Sequence, residues 1–346
     1  MPERQLNVGT ARGEPGRWTK GRLTLGEYAD GAIESPVNLL CGARPGKVLW
    51  VQNAVHGDEA GGAIGILRFL HRCDPTRMSG SIAALMVANQ PAFRAQARLT
   101  PFDGENMNRC FPGDRGGGHT RAAASVLIDT ACEAADAVID LHSGGNEAIV
   151  PFYTIYRDDG SAAAEASRTL AVATGAATVW ACRDSWLEGA LFASVVKRGK
   201  PSVLIECGGG GPVLEEHVDN FANALEGIAR SLEILPPPAV AGNAARPSAA
   251  GPGTAAARAR DPRVIDGCAF VVNRRGGYFE PLVRAGEVVE AGQRIARILS
   301  PYGEVLEELV SPVGPAFIAS IVRAYLPIHS GIEVAEAIRI TKPPGA

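Results

Sequence analysis

The stretch that decides the fold of this chain is KVLWVQNAVHGDE, residues 47–59. Its first nine residues are mostly apolar, which predicts a buried β-strand. The last four, 56–59, place a histidine and a glutamate three positions apart just beyond the strand. An imidazole and a carboxylate so spaced can share one zinc ion. The same four residues would also suit a surface turn that begins a helix, so this motif alone leaves both interpretations open.

The composition excludes several classes of protein. The 346 residues are 46% hydrophobic and 21% charged, as in ordinary globular proteins, and the length allows two domains. A formal net charge of −3 offers no basic surface to nucleic acid or an anionic membrane. No apolar run approaches the ~18 residues of a membrane span, and we expect no secretory leader. The seven cysteines include no Cys-x-x-Cys pair, which indicates a reducing compartment and predicts a cytoplasmic protein.

The amino-acid composition changes at 236–262, a segment that is almost entirely Ala, Gly, Pro, Arg and Ser. Because it has no apolar periodicity, we expect a flexible linker there. We therefore predict a first domain at 1–235, beginning with a β segment, and a β-rich domain at 263–346. Within the first domain, predicted strands are 48–54, 82–87, 137–141, 149–155, 177–181 and 202–205, and predicted helices are 61–72, 122–134, 162–174, 188–198 and 213–234.

This alternation predicts an α/β/α sandwich around a mixed, mainly parallel sheet. Several of the strands are short apolar runs without clean alternation, as expected when helices cover both faces. In such sheets, ligands bind beyond the carboxyl ends of the strands. His56, His142 and Glu206 all fall just past predicted strand ends.

The second region has short β-type runs broken by glycine and proline, which predict a small all-β domain. Its texture resembles the biotinyl/lipoyl-type fold. A swinging-arm carrier of that fold needs a lysine at a hairpin tip. The only lysine in this region is Lys342, in the tail, so a carrier role is rejected.

His142 is the next candidate ligand. The run DAVIDLHSGG, residues 136–145, predicts a strand that ends in a histidine and a glycine-rich turn. A lone histidine there is more often structural, but with His56 and Glu59 it completes a set of two histidines and one carboxylate. That set leaves one position of a tetrahedral zinc open for water, as catalytic zinc requires.

Glu206 is the candidate general base. It ends the apolar run 201–205, and a carboxylate in that position must be paired, solvated or functional. Facing a zinc-activated water, it could take a proton and deliver it to a leaving nitrogen. A capping or salt-bridged carboxylate is the alternative. The four glycines at 208–211 lack the spacing of a phosphate-binding loop, and we interpret them as permitting close backbone approach to substrate.

The run NMNRCFPG, residues 106–113, supplies candidate substrate ligands. Asn108 and Arg109 offer an amide and a planar cation suited to a carboxylate. Arg109 could instead polarise the scissile carbonyl, and Arg98 is a second candidate for that role. For any single arginine, a surface ion pair is the commoner case.

In this order, the motifs resemble the succinylglutamate desuccinylase/aspartoacylase family of the wider zinc carboxypeptidase-like fold. The motifs are His56-x-x-Glu59, Asn108-Arg109-x-Phe-Pro-Gly, His142-Ser-Gly-Gly and Ile205-Glu206-x-Gly-Gly. Each is weak alone, but their order is specific, and the resemblance covers about 45–235. It implies one zinc ion per subunit, with the ligands His56, Glu59 and His142. It also implies that Glu206 acts as general base and acid.

The resemblance implies further roles around the substrate. Arg109 and Arg98 would contact the carbonyl oxygen, while Asn108 and Arg109 would hold a substrate carboxylate; Gly144 is a further substrate-binding candidate. The stretches 90–94, 102–104 and 106–109 look most like N-acetyl-diaminobutyrate deacetylases. There are two departures from the usual pattern, Cys207 in place of Leu and Asn106 in place of Asp, which leave the acyl group and the amine open.

The sequence thus predicts a zinc-dependent deacylase in the first domain. It would hydrolyse the amide bond of a small N-acylated amino acid or related amine through metal-activated water, as a hydrolase of linear amides other than peptide bonds. The expected partner is that small molecule, without nucleic acid or membrane, and a homo-oligomer is left open. The alternatives are a zinc carboxypeptidase acting on peptides and a catalytically silent ligand-binding member. Nucleophiles at Ser143 or Cys110 rank lower because neither has a supporting motif, and His119 is a candidate rim residue.

Overall fold

The structure, a computed structural model, describes residues 5–237 and 261–345. Nearly all of the predicted linker at 236–262 lies outside the described residues. No helix in the described part of the chain is long and apolar enough to cross a membrane.

The helices and strands follow the predicted alternation, with additional strands at both ends of the chain. The strands are β1 (Asn7–Val8), β2 (Ala11–Arg12), β3 (Arg17–Tyr28), β4 (Gly31–Cys41), β5 (Arg44–Asn53), β6 (Ser79–Leu85), β7 (Ala137–His142), β8 (Ala148–Arg157), β9 (Thr178–Cys182), β10 (Ser202–Gly209), β11 (Arg263–Val272), β12 (Gly277–Pro281), β13 (Val288–Val289), β14 (Arg294–Leu299), β15 (Val305–Val310), β16 (Ala316–Val322), β17 (Pro327–Ile328) and β18 (Glu333–Lys342). The helices are α1 (Gly61–Arg72), α2 (Gln90–Ala95), α3 (His119–Ala134), α4 (Ala162–Ala173), α5 (Leu191–Lys197) and α6 (Glu215–Ser231), with short 3₁₀ helices at Pro75–Arg77, Met107–Arg109 and Ser185–Leu187.

One large mixed sheet organises the fold. Within the described residues its twelve strands lie in the order β13-β16-β18-β11-β9-β8-β10-β7-β5-β6-β4-β3. The central neighbours β6, β5, β7 and β10 are parallel, as are β8, β9 and β11. The mixed sheet is confirmed, but a mainly parallel sheet is found only in this centre. The N-terminal hairpin and the C-terminal strands add antiparallel pairs at the two edges.

Helices cover both faces of the sheet, as the sandwich prediction requires. Leu49 and Val51 of β5 pack in a core with α1 and α6, whereas Trp50 between them packs in the opposite core with α3 and α5. All three are fully buried, and a buried Leu or Val contributes roughly 1.5–3 kcal/mol of hydrophobic free energy. Burial of successive side chains on opposite faces explains why these strands are continuous apolar runs.

The N-terminal β segment is a long hairpin of β3 and β4, whose individual strands the sequence analysis did not locate. Leu23 and Leu25 are buried while Thr24 between them is exposed, so β3 covers the core with only one face. The turn carries Asp30-Gly31, a common hairpin signal, and Gly31 has a φ of 135°. This hairpin forms one edge of the large sheet through the pairing of β4 with β6.

The C-terminal region is all-β and continues the large sheet. Strand β11 pairs in parallel with β9, and β16 pairs antiparallel with β8. A separate four-stranded sheet, β15-β14-β12-β17, encloses an apolar core with β11, β16 and β18. The likeness to a biotinyl/lipoyl fold and the division at 235 and 263 remain predictions. Lys342 lies on β18, where its Nζ forms an ion pair with Asp261 at 3.0 Å.

The strand register positions the candidate site. Asn53 of β5 lies opposite Leu141 of β7, and His142 lies opposite Glu206 of β10. Three parallel neighbours therefore end side by side at one edge of the sheet, and the residues that follow them share that edge.

Candidate active site

Three ligand-type side chains converge at the ends of β5 and β7. His56 Nδ1 lies 2.8 Å from Glu59 Oε1, and His142 Nδ1 lies 2.9 Å from Glu59 Oε2. The two Nδ1 atoms are 3.3 Å apart, and each of the three residues is at most 2% exposed. Among the described residues, this is the group of histidine, cysteine and carboxylate side chains that could hold a metal ion. The structure thus brings the predicted ligand set together.

The other nitrogen of each imidazole is held by an acceptor. His142 Nε2 lies 3.0 Å from the carboxylate oxygen Oδ2 of Asp140, and His56 Nε2 lies 3.1 Å from Asn106 Oδ1. Asn106 Oδ1 also accepts the backbone N–H of Asn108, which fixes the orientation of its amide. Because both partners accept, the neutral form of each imidazole would keep its proton on Nε2 and present the Nδ1 lone pair to the cluster.

Asp140 is itself anchored by a buried relay. Its Oδ1 accepts from Gln52 Nε2 at 3.3 Å, and Gln52 Oε1 accepts from Trp50 Nε1 at 3.1 Å. Asp140, Gln52 and Trp50 have no exposed surface. A fully satisfied buried network of this kind restricts the rotamers of its members, so the position of His142 is held through two layers of side chains.

The loop from β5 to α1 is shaped by a close backbone approach. Ala54, at the strand end, has a φ of 57°, and Gly57 packs so closely that a Cβ there would lie 2.0 Å from the backbone of Ala92. Gly57 N–H donates to the carbonyl of Ala97, and the Asn53 side chain donates to the carbonyl of Glu59. These contacts turn His56 and Glu59 inward, so the stretch 56–59 is not a surface turn.

The electrostatics of the cluster follow from burial and mutual charge. Burial alone would raise the pKa of Glu59, but the two histidines outweigh it and hold the pKa below its usual range. Burial lowers the pKa of His56. Burial also opposes the charged form of His142, yet Asp140 and Glu59 raise its pKa well above the usual value. The Glu59 carboxylate is therefore held in its ionised form by the positive groups around it, and a bound cation could take over that role.

Glu206 lies at the same edge of the sheet, and one of its carboxylate oxygens has no partner among the described residues. Its Oε2 is buried and has no hydrogen-bond partner among the described residues. Burial, assisted by the charges of Glu59 and Glu336, raises the pKa of Glu206 to about 8. A buried, unsatisfied carboxylate oxygen is costly, and its presence beside a ligand cluster indicates a functional group.

Two arginines approach the cluster in different ways. Arg98 Nη1 donates to Glu59 Oε1 at 3.1 Å and lies 3.3 Å from His56 Nδ1. The guanidinium carbon of Arg109 lies 4.9 Å from the ring centre of Trp186, and its Nη1 donates to the carbonyl of Asn108. Burial and the charge of Arg98 lower the pKa of Arg109. The partner of Arg98 is the buried Glu59, and Arg109 contacts an aromatic ring and a backbone carbonyl. Neither arginine is therefore in an ion pair between two surface side chains.

Asn108 and Gly144 are engaged with the chain itself. Asn108 Oδ1 accepts the backbone N–H of Leu191 at 3.2 Å, whereas its amide nitrogen donates to no described residue. Gly144 N–H donates to the carbonyl of Gly208, and its carbonyl accepts from Ala148. Substrate binding by either residue remains a prediction.

Gly208 and Gly209 of the run 208–211 pack closely against protein. A Cβ on Gly209, whose φ is 115°, would lie 2.3 Å from the carbonyl oxygen of Ala148, and one on Gly208 would meet the His217 ring at 2.5 Å. A Cβ on Gly211, in contrast, would meet no atom within 4 Å, and close backbone approach of this run to substrate remains a prediction.

The structure does not indicate a nucleophile at the lower-ranked candidates Cys110 and Ser143, and it shows the contacts of His119. Burial raises the pKa of Cys110 to about 12, and its thiol donates to Glu105, so it is not a thiolate. Ser143 contributes its backbone N–H to Glu59 Oε2 at 3.1 Å. His119 packs edge-on against Phe102 with ring centres 5.1 Å apart.

The sequence analysis missed residues that support or surround the site. Asp140 could have been found, because residues two apart on a strand point to the same face, and Asp-x-His therefore places a carboxylate beside the ligand. Asn106 was treated only as a departure from a motif, yet it holds His56. Tyr153 and Glu336 gave no local signal. Burial and the charges of Glu206 and Glu336 raise the pKa of Tyr153 well above its usual value.

The donor set fits a zinc-type ion. Two imidazole nitrogens and one carboxylate, with the remaining ring nitrogens engaged by acceptors, are the ligands that catalytic zinc uses. The unpartnered Oε2 belongs to Glu206, which lies opposite His142 in the strand register.

Comparison with known proteins finds a matching family model and a related enzyme. Residues 45–232 match the model of the succinylglutamate desuccinylase/aspartoacylase catalytic domain. The chain is also 30% identical over 283 residues to the N-alpha-acetyl-L-2,4-diaminobutyric acid deacetylase of Halomonas elongata. That alignment covers 79% of this chain and 76% of the relative.

Solved structures agree at the level of the fold. The product-bound ectoine utilization protein EutE (DoeB) of Ruegeria pomeroyi superimposes with a TM-score of 0.80 at 23% identity, over 97% of this chain and 100% of that one. A succinylglutamate desuccinylase/aspartoacylase from Rhodobacter sphaeroides gives a TM-score of 0.76 at 24% identity, over 94% and 98% of the two chains. Both likenesses extend through the C-terminal strands.

Proposed function

The chain belongs to the succinylglutamate desuccinylase/aspartoacylase family, and from that premise we propose that it is a zinc-dependent deacylase of a small N-acylated amino acid or related amine. It would be a hydrolase of linear amides other than peptide bonds. The observation that carries the proposal is the pairing of two features at one edge of the sheet. Two imidazole lone pairs and a carboxylate converge there, and an unused Glu206 oxygen lies beside them.

His56, Glu59 and His142 would hold one zinc ion per subunit. When bound there, zinc supplies Lewis acidity and makes water acidic enough to attack at neutral pH. Asn106 and Asp140 keep the proton of each imidazole on Nε2, so both Nδ1 atoms stay available as ligands. Arg98 contacts the same atoms in the described structure and would have to give up its contact with His56 Nδ1.

Glu206 would move the protons. Its free oxygen accepts a proton from the attacking water, and the same carboxyl then delivers it to the leaving amine nitrogen. Burial raises the pKa of Glu206 to about 8, which brings the carboxyl close to the pH at which both transfers must proceed. Since the protein gives this oxygen no partner, no internal hydrogen bond has to break for catalysis.

The arginines would bind and polarise the substrate. Arg98, whose Nη1 donates to Glu59 Oε1, would contact the scissile carbonyl, where positive charge stabilises the developing oxyanion. Arg109 is stacked on Trp186 and is therefore restricted in direction, which suits a group that holds a substrate carboxylate together with Asn108. This division assigns one duty to each arginine.

The acyl group that we propose is acetyl. The supporting relative from Halomonas elongata is a deacetylase of N-alpha-acetyl-L-2,4-diaminobutyric acid. We also propose a cytoplasmic location, because all seven cysteines are free thiols in the structure, as expected in a reducing compartment.

A substrate panel tests this function. Purified protein is assayed for release of free amine from N-acetyl, N-succinyl and N-formyl amino acids and from short peptides, with and without a chelator. We expect release from small acyl-amino acids that is lost with chelator and restored by zinc. Release from peptides only would establish the carboxypeptidase alternative. Bound zinc without any release would overturn the deacylase proposal in favour of a binding protein.

A further inference from the structure

Glu336 is a carboxylate from the C-terminal strands that the proposed mechanism does not use. It lies on β18, opposite Phe270 of β11 and Ser320 of β16. The residue is half-buried, and no hydrogen bond or ion pair joins its side chain to another described residue. A carboxylate that is withdrawn from water without a partner is energetically unfavourable and calls for an explanation.

A chain of aromatic contacts locates Glu336 on the wall of the site. Phe270, its neighbour in the strand register, packs edge-on against Trp186 with ring centres 5.1 Å apart. Trp186 in turn carries the guanidinium of Arg109 at 4.9 Å. The charge of Glu336 is also felt by site residues on four other segments, namely Arg98, Arg109, Tyr153 and Glu206.

The neighbouring arginines do not neutralise this carboxylate. Arg98 directs its Nη1 to Glu59, and Arg109 directs its Nη1 to the carbonyl of Asn108. Neither comes within the 4 Å of an ion pair with Glu336. Burial raises the pKa of Glu336 to about 7, against the opposing influence of the two arginines. The negative charge is therefore incompletely compensated while the site holds no substrate.

We propose that Glu336 binds a positively charged group on the amine portion of the substrate and so selects N-acylated diamino acids. The α-carboxylate would face Arg109 and Asn108, and a side-chain ammonium would face Glu336, giving one opposite charge to each end of the molecule. A substrate with a neutral side chain would leave the carboxylate buried and unpaired, and one with an acidic side chain would be repelled. This inference rests on the proposed deacylase function and names the substrate class of that site.

The test compares two substrates of the same shape. N-acetyl-L-2,4-diaminobutyrate and N-acetyl-L-norvaline differ in that an ammonium replaces a terminal methyl group. For Glu336→Gln we expect kcat/KM on the cationic substrate to fall about 30-fold, mainly through KM, with less than about 3-fold change on the neutral one. Glu336→Asp keeps the charge and should retain a clear preference for the cationic substrate. The thermal melt and zinc content of each variant are measured in parallel, so that misfolding is recognised.

Glu333→Gln is the matched control. It removes the same charge from the same strand at an exposed position, where water weakens its influence on Arg109 and Glu336, and we expect less than about 3-fold change in the ratio of the two substrates. An equal fall of Glu336→Gln on both substrates would overturn the inference, since it would mean that Glu336 only supports the arginines. In that case the deacylase function would stand, because the wild type would still release amine in a chelator-sensitive way. No release by the wild type from either substrate would overturn this inference and the proposed acetyl group, and the deacylase function itself would fall only if the N-succinyl and N-formyl amino acids were also not cleaved.

Discussion

The two halves of the ligand cluster are built differently. His142 ends a six-residue strand whose members are all buried, and its Nε2–H is held by the carboxylate of Asp140, which is anchored by Gln52. His56 lies in a loop, and its Nε2–H is held by the neutral amide of Asn106, which lies in another loop and is half-buried. His142 is thus held by a buried strand and a negatively charged partner, which we call the strand half. His56 is held by loops and a neutral partner, which we call the loop half.

This difference separates two tasks within one site. A carboxylate behind an imidazole raises the basicity of the ligand and strengthens its bond to a metal, which an amide does to a smaller degree. The strand half is therefore expected to dominate metal affinity. The loop half joins the segment that carries Asn108 and Arg109, so changes there are expected to affect substrate binding as well.

Removal of the rigid ligand should have the largest effect on metal binding. For His142→Ala we expect zinc affinity to fall by more than about 100-fold, beyond what loss of an outer partner causes. Zinc content after dialysis, measured with circular dichroism of the same sample, checks this. A folded variant with wild-type zinc content would remove His142 from the ligand set.

Removal of the charge behind that ligand should come next. Asp140→Asn keeps the shape and an accepting oxygen but removes the negative charge behind His142, and we expect zinc affinity to fall about 10–100-fold. Competition with a chromophoric chelator gives the constant. The matched change on the loop half, Asn106→Leu, should cost less, and an equal or larger loss there would reverse the proposed asymmetry.

The smallest effect is expected from a substitution that gives both histidines a carboxylate partner. Asn106→Asp places a carboxylate behind His56, and we expect zinc affinity to rise by a few-fold, below the roughly tenfold range of outer-partner effects. The same chelator competition measures it. A decrease would contradict the expected gain from a negative charge behind His56, because Asp keeps the oxygen that accepts the backbone N–H of Asn108.

The centre of the fold could be predicted from the sequence because its signals are local. Helix α1 has the predicted bounds, and the strand that precedes His56 and the strands that carry His142 and Glu206 were recognised as apolar runs. Helix α5 is shorter than predicted, Leu191–Lys197 instead of 188–198, because a 3₁₀ turn and Gly189, packed on the Arg109 backbone, precede it. Local periodicity carries no information about such packing.

The parts that were missed depend on distant pairing. The contact of β11 with β9 and of β16 with β8 brings β18, and with it Glu336, beside residues that lie far away in the chain. A sequence pattern in 333–342 identifies a strand but not its neighbours. Asn106 is similar, since nothing in its own segment indicates that its amide would meet His56 from the other side of the site.

Glu206→Gln tests the central claim most directly, because it separates the metal from the proton transfer. Zinc content and the kcat for amine release are measured on the same preparations of wild type and variant. We expect full zinc content, a KM within a few-fold of the wild type, and a kcat lower by about 10²–10⁴, the usual contribution of a positioned general base. Nearly intact turnover in the zinc-loaded variant would contradict the account, because the proton would then be moved by another group.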